Sequence, residues 1–244
     1  MKPILLAALL FPLTASAAVS DAYKSYASKC QAEVKAAGKD GVACLRVAEF
    51  AQVEGAIPEI AKVPGYEAAA KHISKWLEGG FILADTSLGS GTSGETRRDG
   101  TSRPMTSPQA VSDNVSLDGN VYLNTTRPIL FVLPADVKKA KADLAKLQSK
   151  AGEPDAKRKR AIADLELRAD VASKALFLQS VLVHEDVHTG QAYGNKNSKE
   201  GGAYDAQIAY LTALRGSAPA ASTQAARLDA LIAAARLDRA ENVH

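Results

Sequence analysis

Phe177, Leu178, Val181, Leu182 and Val183 form an almost wholly apolar run that leads directly into His184-Glu185-Asp186-Val187-His188. A helix this apolar has to be buried along most of its surface. It nevertheless carries two imidazoles and two carboxylates, which cannot be buried without partners. This conflict constrains the fold more than any other stretch, because the helix must enter the core and something must answer the imidazoles. Side chains four residues apart share a helical face, so His184 and His188 can both reach one metal ion. Glu185 lies about 100° round the helix from His184, from where it can reach a metal-bound water without being a ligand. Zinc lowers the pKa of bound water to about 7, and a carboxylate beside that water removes its proton as it attacks a carbonyl.

Catalytic zinc commonly takes three protein ligands and keeps a fourth position open. No His follows His188 except His244, so the third ligand is expected to be a carboxylate. Gly194 stops the motif helix, Asn195 to Ser198 turn the chain, and Ser198 can cap a helix over Lys199 to Leu214. Glu200, in the first turn of that helix, is the favoured ligand and Asp205 the competitor, with the other left as a hydrogen-bond partner or surface acid.

His184-Glu185-x-x-His188 preceded by Val181-Leu182-Val183, with Glu200-Gly-Gly-Ala-Tyr204-Asp-Ala-Gln207 on the next helix, resembles the zincin metallopeptidases of the gluzincin type. It is similar to small bacterial members in which an acidic residue precedes an Ala-Tyr-x-x-Gln helix. The likeness covers about thirty-five residues. It implies one Zn2+ per chain held by two His and a downstream Glu, with Glu185 as general base and a peptide or protein as substrate. Asp186 stands where these peptidases usually have an uncharged residue. A hydrolase of this kind also needs a group that stabilises the oxyanion, for which Tyr204 and Tyr193 are the candidates. A catalytically inactive, zinc-binding interaction or inhibitory protein of the cell envelope is the alternative, followed by a helical envelope protein without metal.

The rest of the chain sets the context. Met1-Lys2, the apolar run Ile4 to Leu13 and Ala15-Ser16-Ala17 read as a signal peptide over residues 1–17, placing the mature chain in the periplasm or outside the cell. No later segment is long and apolar enough to span a bilayer. The net charge of +3 in 244 residues points to no nucleic-acid partner. Cys30 and Cys44 are the only cysteines, and in an oxidising compartment they are expected to form a disulfide. They flank Gly38-Lys39-Asp40-Gly41, which separates two helical runs, Ser20 to Ala37 and Val42 to Gln52.

Helical spacing continues through Tyr66, Ala69, Ala70, Ile73, Trp76 and Leu77, and His72 on this segment reads as a surface or satisfied core residue. In residues 84–114, fifteen of the thirty-one are Gly, Ser or Thr, a composition expected of a loop or linker. Val115 to Leu117 and Asn120 to Leu123 around Asp118-Gly119 carry a hairpin signature, and Ile129 to Leu133 reads as a third, fully apolar strand. Two charged helices follow, Ala135 to Lys150 and a long one from Pro154 to Tyr193. The cluster Lys157-Arg158-Lys159-Arg160 reads as the solvated face of a helical hairpin. The expected fold is therefore α+β and mostly helical. An N-terminal helical subdomain (18–83) and a linker (84–114) precede a zincin-like domain (115–244), whose small antiparallel sheet comes before the active-site helix and whose last helix covers Thr223 to Glu241.

Overall fold

Ser20 accepts a hydrogen bond from the Tyr23 amide and starts the first helix, α1 (Asp21–Ala37), which ends at Gly38 in the left-handed region, φ 57°. The computed structural model describes residues 20–89, 92–97, 120–190 and 196–243; the expected signal peptide lies outside them. After α1 come β1 (Val42–Cys44), α2 (Val47–Ala61), α3 (Glu67–Gly79), β2 (Ile82–Asp85), β3 (Gly94–Arg97) and β4 (Asn120–Leu123). Five further helices complete the order: α4 (Pro134–Gln148), α5 (Ala156–Ala169), α6 (Val171–Gly190), α7 (Lys196–Ser217) and α8 (Thr223–Asn242). The protein is mostly helical with one small sheet, an α+β chain.

The sheet is mixed and four-stranded, ordered β1-β2-β4-β3. β1 runs antiparallel to β2, β2 parallel to β4, and β3 antiparallel to β4, with Gly94 opposite Leu123 and Thr96 opposite Val121. The expected three-stranded antiparallel sheet is corrected by this arrangement. Of the expected hairpin, Asn120–Leu123 is a strand, while residues 115–119 lie outside the described residues. Ile129 to Leu133 is a series of turns rather than a strand. Its side chains are nonetheless core, since Leu130 and Phe131 are buried, and Pro134 ends the run by occupying the first turn of α4.

Two strands come from stretches whose local pattern suggested otherwise. Val42–Cys44, expected to start a helix, is instead an edge strand held from both sides. It pairs with β2, and the expected Cys30–Cys44 disulfide fastens it to α1 with Cα atoms 5.8 Å apart. Residues 84–114, expected to be a loop or linker, supply the end of β2 and all of β3; 90–91 and 98–114 are not among the described residues. The buried side chain of Asn124 organises this connection. Its amide donates to the carbonyls of Leu88 (3.3 Å), Gly89 (3.1 Å) and Thr92 (2.8 Å), fixing β3 beside β4.

The helices enclose the sheet in one core that runs from Tyr26 to Ala235 in sequence. α3 and α1 approach so closely that a Cβ on Gly80, whose φ is 81°, would lie 2.6 Å from the Cys30 amide nitrogen, so only glycine fits that turn. The long helix expected from Pro154 to Tyr193 is two, α5 and α6, divided at Asp170, whose backbone is extended. The Asp170 carboxylate accepts from the Ser173 amide (2.9 Å) and hydroxyl (2.7 Å), capping α6. α4 and α5 form the expected charged hairpin, and Arg158 from the basic cluster is structural, its guanidinium donating to the carbonyls of Leu147 and Lys150 at the end of α4. No helix of the described residues is long and apolar enough to cross a membrane.

Candidate functional site

α6 is buried nearly all round. Leu176, Phe177, Leu178, Val181, Leu182 and Val183 are core residues, and so are the polar Gln179, Ser180, His184 and Glu185. The polar groups are answered mainly by α7. Gln207 donates to the Ser180 hydroxyl (3.1 Å), and the Tyr210 hydroxyl donates to Gln179 Oε1 (2.8 Å). Ala203, fully buried, lets the two helices approach. These side chains fix the register of α7 on α6, and Glu200, about two turns ahead of Gln207, is thereby brought to the His pair.

The result is a compact triangle. The Nε2 atoms of His184 and His188 are 3.1 Å apart, and Glu200 Oε2 lies 3.7 Å from each. Alone, the His–His distance is also that of an N–H···N hydrogen bond, with the proton on either ring. The carboxylate oxygen placed equally far from both nitrogens is what a shared cation requires. Tetrahedral zinc with ligands at about 2.0–2.2 Å spaces neighbouring ligand atoms by about 3.3–3.6 Å, and the three edges bracket that span. Among the described residues, His184, His188 and Glu200 form a group that could hold a metal ion. Hydrogen bonding and charge from both imidazoles hold the Glu200 carboxyl far below the usual carboxylate range. It is ionised at any physiological pH, as a ligand has to be.

Asp205, the competing ligand, is not at the triangle. Its carboxylate is paired with Arg239 of α8, at 2.8 and 3.3 Å. Tyr204 is close: its ring meets that of His184 edge to face, centroids 4.7 Å apart, and its hydroxyl accepts from Asn242. Burial, with Asp238 and Glu200 nearby, pushes the Tyr204 phenol up to about 12, so it keeps its proton at neutral pH. Tyr193 lies outside the described residues.

Glu185 points to β3. Only 2% of the residue is exposed, and the Thr96 hydroxyl donates to its Oε2 at 2.8 Å. Burial pushes the Glu185 carboxyl up, opposed by the two imidazoles and by Thr96. Asp186, next in the motif, faces the other way and meets His72 of α3 at 3.2 Å. His72 is therefore the satisfied residue expected, and Asp186 ties the motif helix to α3.

No family model, curated protein or solved structure matches the chain. Sequence reasoning missed three neighbours. Thr96 and Gly94 sit in a stretch with linker composition, and Asp238 lies on α8, where burial pushes its carboxyl up against the opposing charge of Arg127, 3.7 Å away. None carries a local motif; only the folded chain brings them to the site.

Proposed function

We propose that the protein is an exported zinc-dependent metallopeptidase of the zincin type. The observation that carries this reading is the triangle of His184, His188 and Glu200 beside a buried Glu185. His184, His188 and Glu200 would hold the ion, which when bound supplies a Lewis acid and lowers the pKa of its water to about 7. Glu185 would take a proton from the attacking water and pass it to the leaving amine. Tyr204 keeps its phenolic proton at neutral pH and donates a hydrogen bond to the developing oxyanion. An extended peptide lying beside β3, the last strand of the sheet among the described residues, would bring its carbonyl towards Glu185. The Cys30–Cys44 disulfide agrees with an oxidising compartment.

Zinc content and cleavage of a fluorogenic peptide set, measured side by side for the natural chain and three variants, test this reading. Glu185→Gln is expected to keep stoichiometric zinc while losing activity by a factor of about a thousand. Glu200→Ala is expected to lose the metal, and Asp205→Ala to keep metal and activity. A natural chain purified without zinc, or full activity in Glu185→Gln, overturns the proposal. The near-complete burial of Glu185 is the one observation favouring the alternative, a zinc-binding protein without catalysis, for which the natural chain would carry zinc and cleave nothing.

A further inference from the structure

Glu185 is the residue on which hydrolysis would turn, and the stretch that surrounds its carboxylate is not in the motif. β3 crosses the side of α6 that carries Glu185. Its residues 94 and 96 lie two apart, on the same face of the strand, and both meet the carboxylate. The Thr96 hydroxyl donates to Oε2 at 2.8 Å, with the Glu185 backbone carbonyl 3.3 Å away. Gly94 lies against the other oxygen: a Cβ there would be 2.6 Å from Oε1 and 3.0 Å from the carboxylate carbon. The neighbour is the working end of a side chain buried on all sides, so an added methyl could be accommodated only by moving the carboxylate.

We propose that Gly94 and Thr96 are the positioning residues of the Glu185 base. Thr96 anchors Oε2 and so selects Oε1 as the oxygen that receives the proton, while Gly94 leaves Oε1 the volume it occupies. Both act on Glu185 through the face of β3 and neither is among the residues that could hold the metal. β3 owes its place to its pairing with β4 and to Asn124, so the orientation of the base is set by the sheet rather than by α6 alone. This inference rests on the peptidase reading above and adds to it which residues make the motif glutamate effective.

The test uses the full mature chain loaded with zinc, in natural form and as Thr96→Val, Thr96→Ser, Gly94→Ala and Glu185→Gln. The first readout is kcat and KM on a fluorogenic peptide. The second is the affinity for acetohydroxamate by calorimetry, a small zinc chelator that gives up its hydroxyl proton on binding and would therefore respond to the position of a neighbouring base. Thr96→Val removes a hydrogen bond to a charged group and is expected to lower kcat about tenfold, with KM and zinc content unchanged, the melting temperature lowered by a few degrees and hydroxamate binding weakened. Thr96→Ser restores the hydroxyl and should restore both readouts, whereas Gly94→Ala should depress both while keeping zinc. A Thr96→Val chain with natural kcat and natural hydroxamate affinity overturns the proposal, as does Thr96→Ser behaving like valine. If Thr96→Val does not melt cooperatively, Thr96→Ala takes its place under the same criteria. Glu185→Gln separates this idea from the one beneath it: if that variant stays active the peptidase reading fails, and if it is inactive while Thr96→Val is not, only the positioning role fails.

Discussion

Lys174, on the same helix as the motif, is fully buried, and its Nζ makes no hydrogen bond among the described residues. Burial, opposed by the charge of Asp136, lowers its ammonium to about 8. The folded state thus holds the proton less tightly than the unfolded chain, where a lysine titrates near 10.4. The unfolded state binds more protons between these values, so stability should rise as pH climbs from about 8 to 10, by on the order of 2–3 kcal/mol. Lys174→Met keeps the aliphatic stem and removes the charge. It is expected to raise stability at pH 7 by on the order of 2 kcal/mol and to flatten this rise, read from urea unfolding at four pH values. Parallel curves for the two chains would refute the assignment. At this scale the sequence was most legible where one helical turn settles the geometry. His184, Glu185 and His188 follow from periodicity alone, and Glu200 from a short reversal into the next helix. Thr96 was out of reach because its contact with Glu185 spans 89 residues of sequence and depends on a strand register in a stretch whose composition gives no sign of order.

The helices were legible as periodic runs, but their breaks were not. Residues 154–193 read as one helix because no Gly or Pro interrupts them after Pro154 before Gly190. Asp170 makes the break by tertiary means. Besides capping α6, its carboxylate takes two hydrogen bonds from Arg227 of α8, at 2.6 and 3.1 Å. Burial alone would raise the Asp170 carboxyl; the bonds from Arg227 and Ser173 overcome it and leave the group below its ordinary value. Asp170→Ala removes a helix cap and half of a partly buried ion pair, and is expected to cost about 2–4 kcal/mol in chemical unfolding. Zinc affinity should stay within a few-fold, because the cap lies more than three turns from His184. A loss under about 0.5 kcal/mol, the size of an ordinary surface substitution, would show that the break has another cause. Strand pairing was the least legible element property. Ile129 to Leu133 has strand composition but no partner strand among the described residues, whereas Val42–Cys44 becomes a strand because β2 and a disulfide await it.

The sheet joins parts of the chain that composition separated. β1 and β2 come from before residue 86 and β4 from after residue 119, with β2 and β4 side by side at the centre. Cys30–Cys44 closes a loop of fourteen residues at the β1 edge, while the candidate metal centre meets the opposite edge through β3. Replacing both cysteines by alanine is therefore expected to lower global stability by about 3 kcal/mol and to leave zinc content unchanged, measured by thermal unfolding and metal analysis of the same preparation. Loss of the metal along with the disulfide would mean the two edges are coupled. At the end of α8, Arg239 grips Asp205 and Asn242 reaches Tyr204, so the helix that presents Glu200 is braced from behind by the last turn of α8. Loosening that turn would consequently free the helix carrying Glu200 on its far side, although no residue of α8 is among the three that could hold an ion.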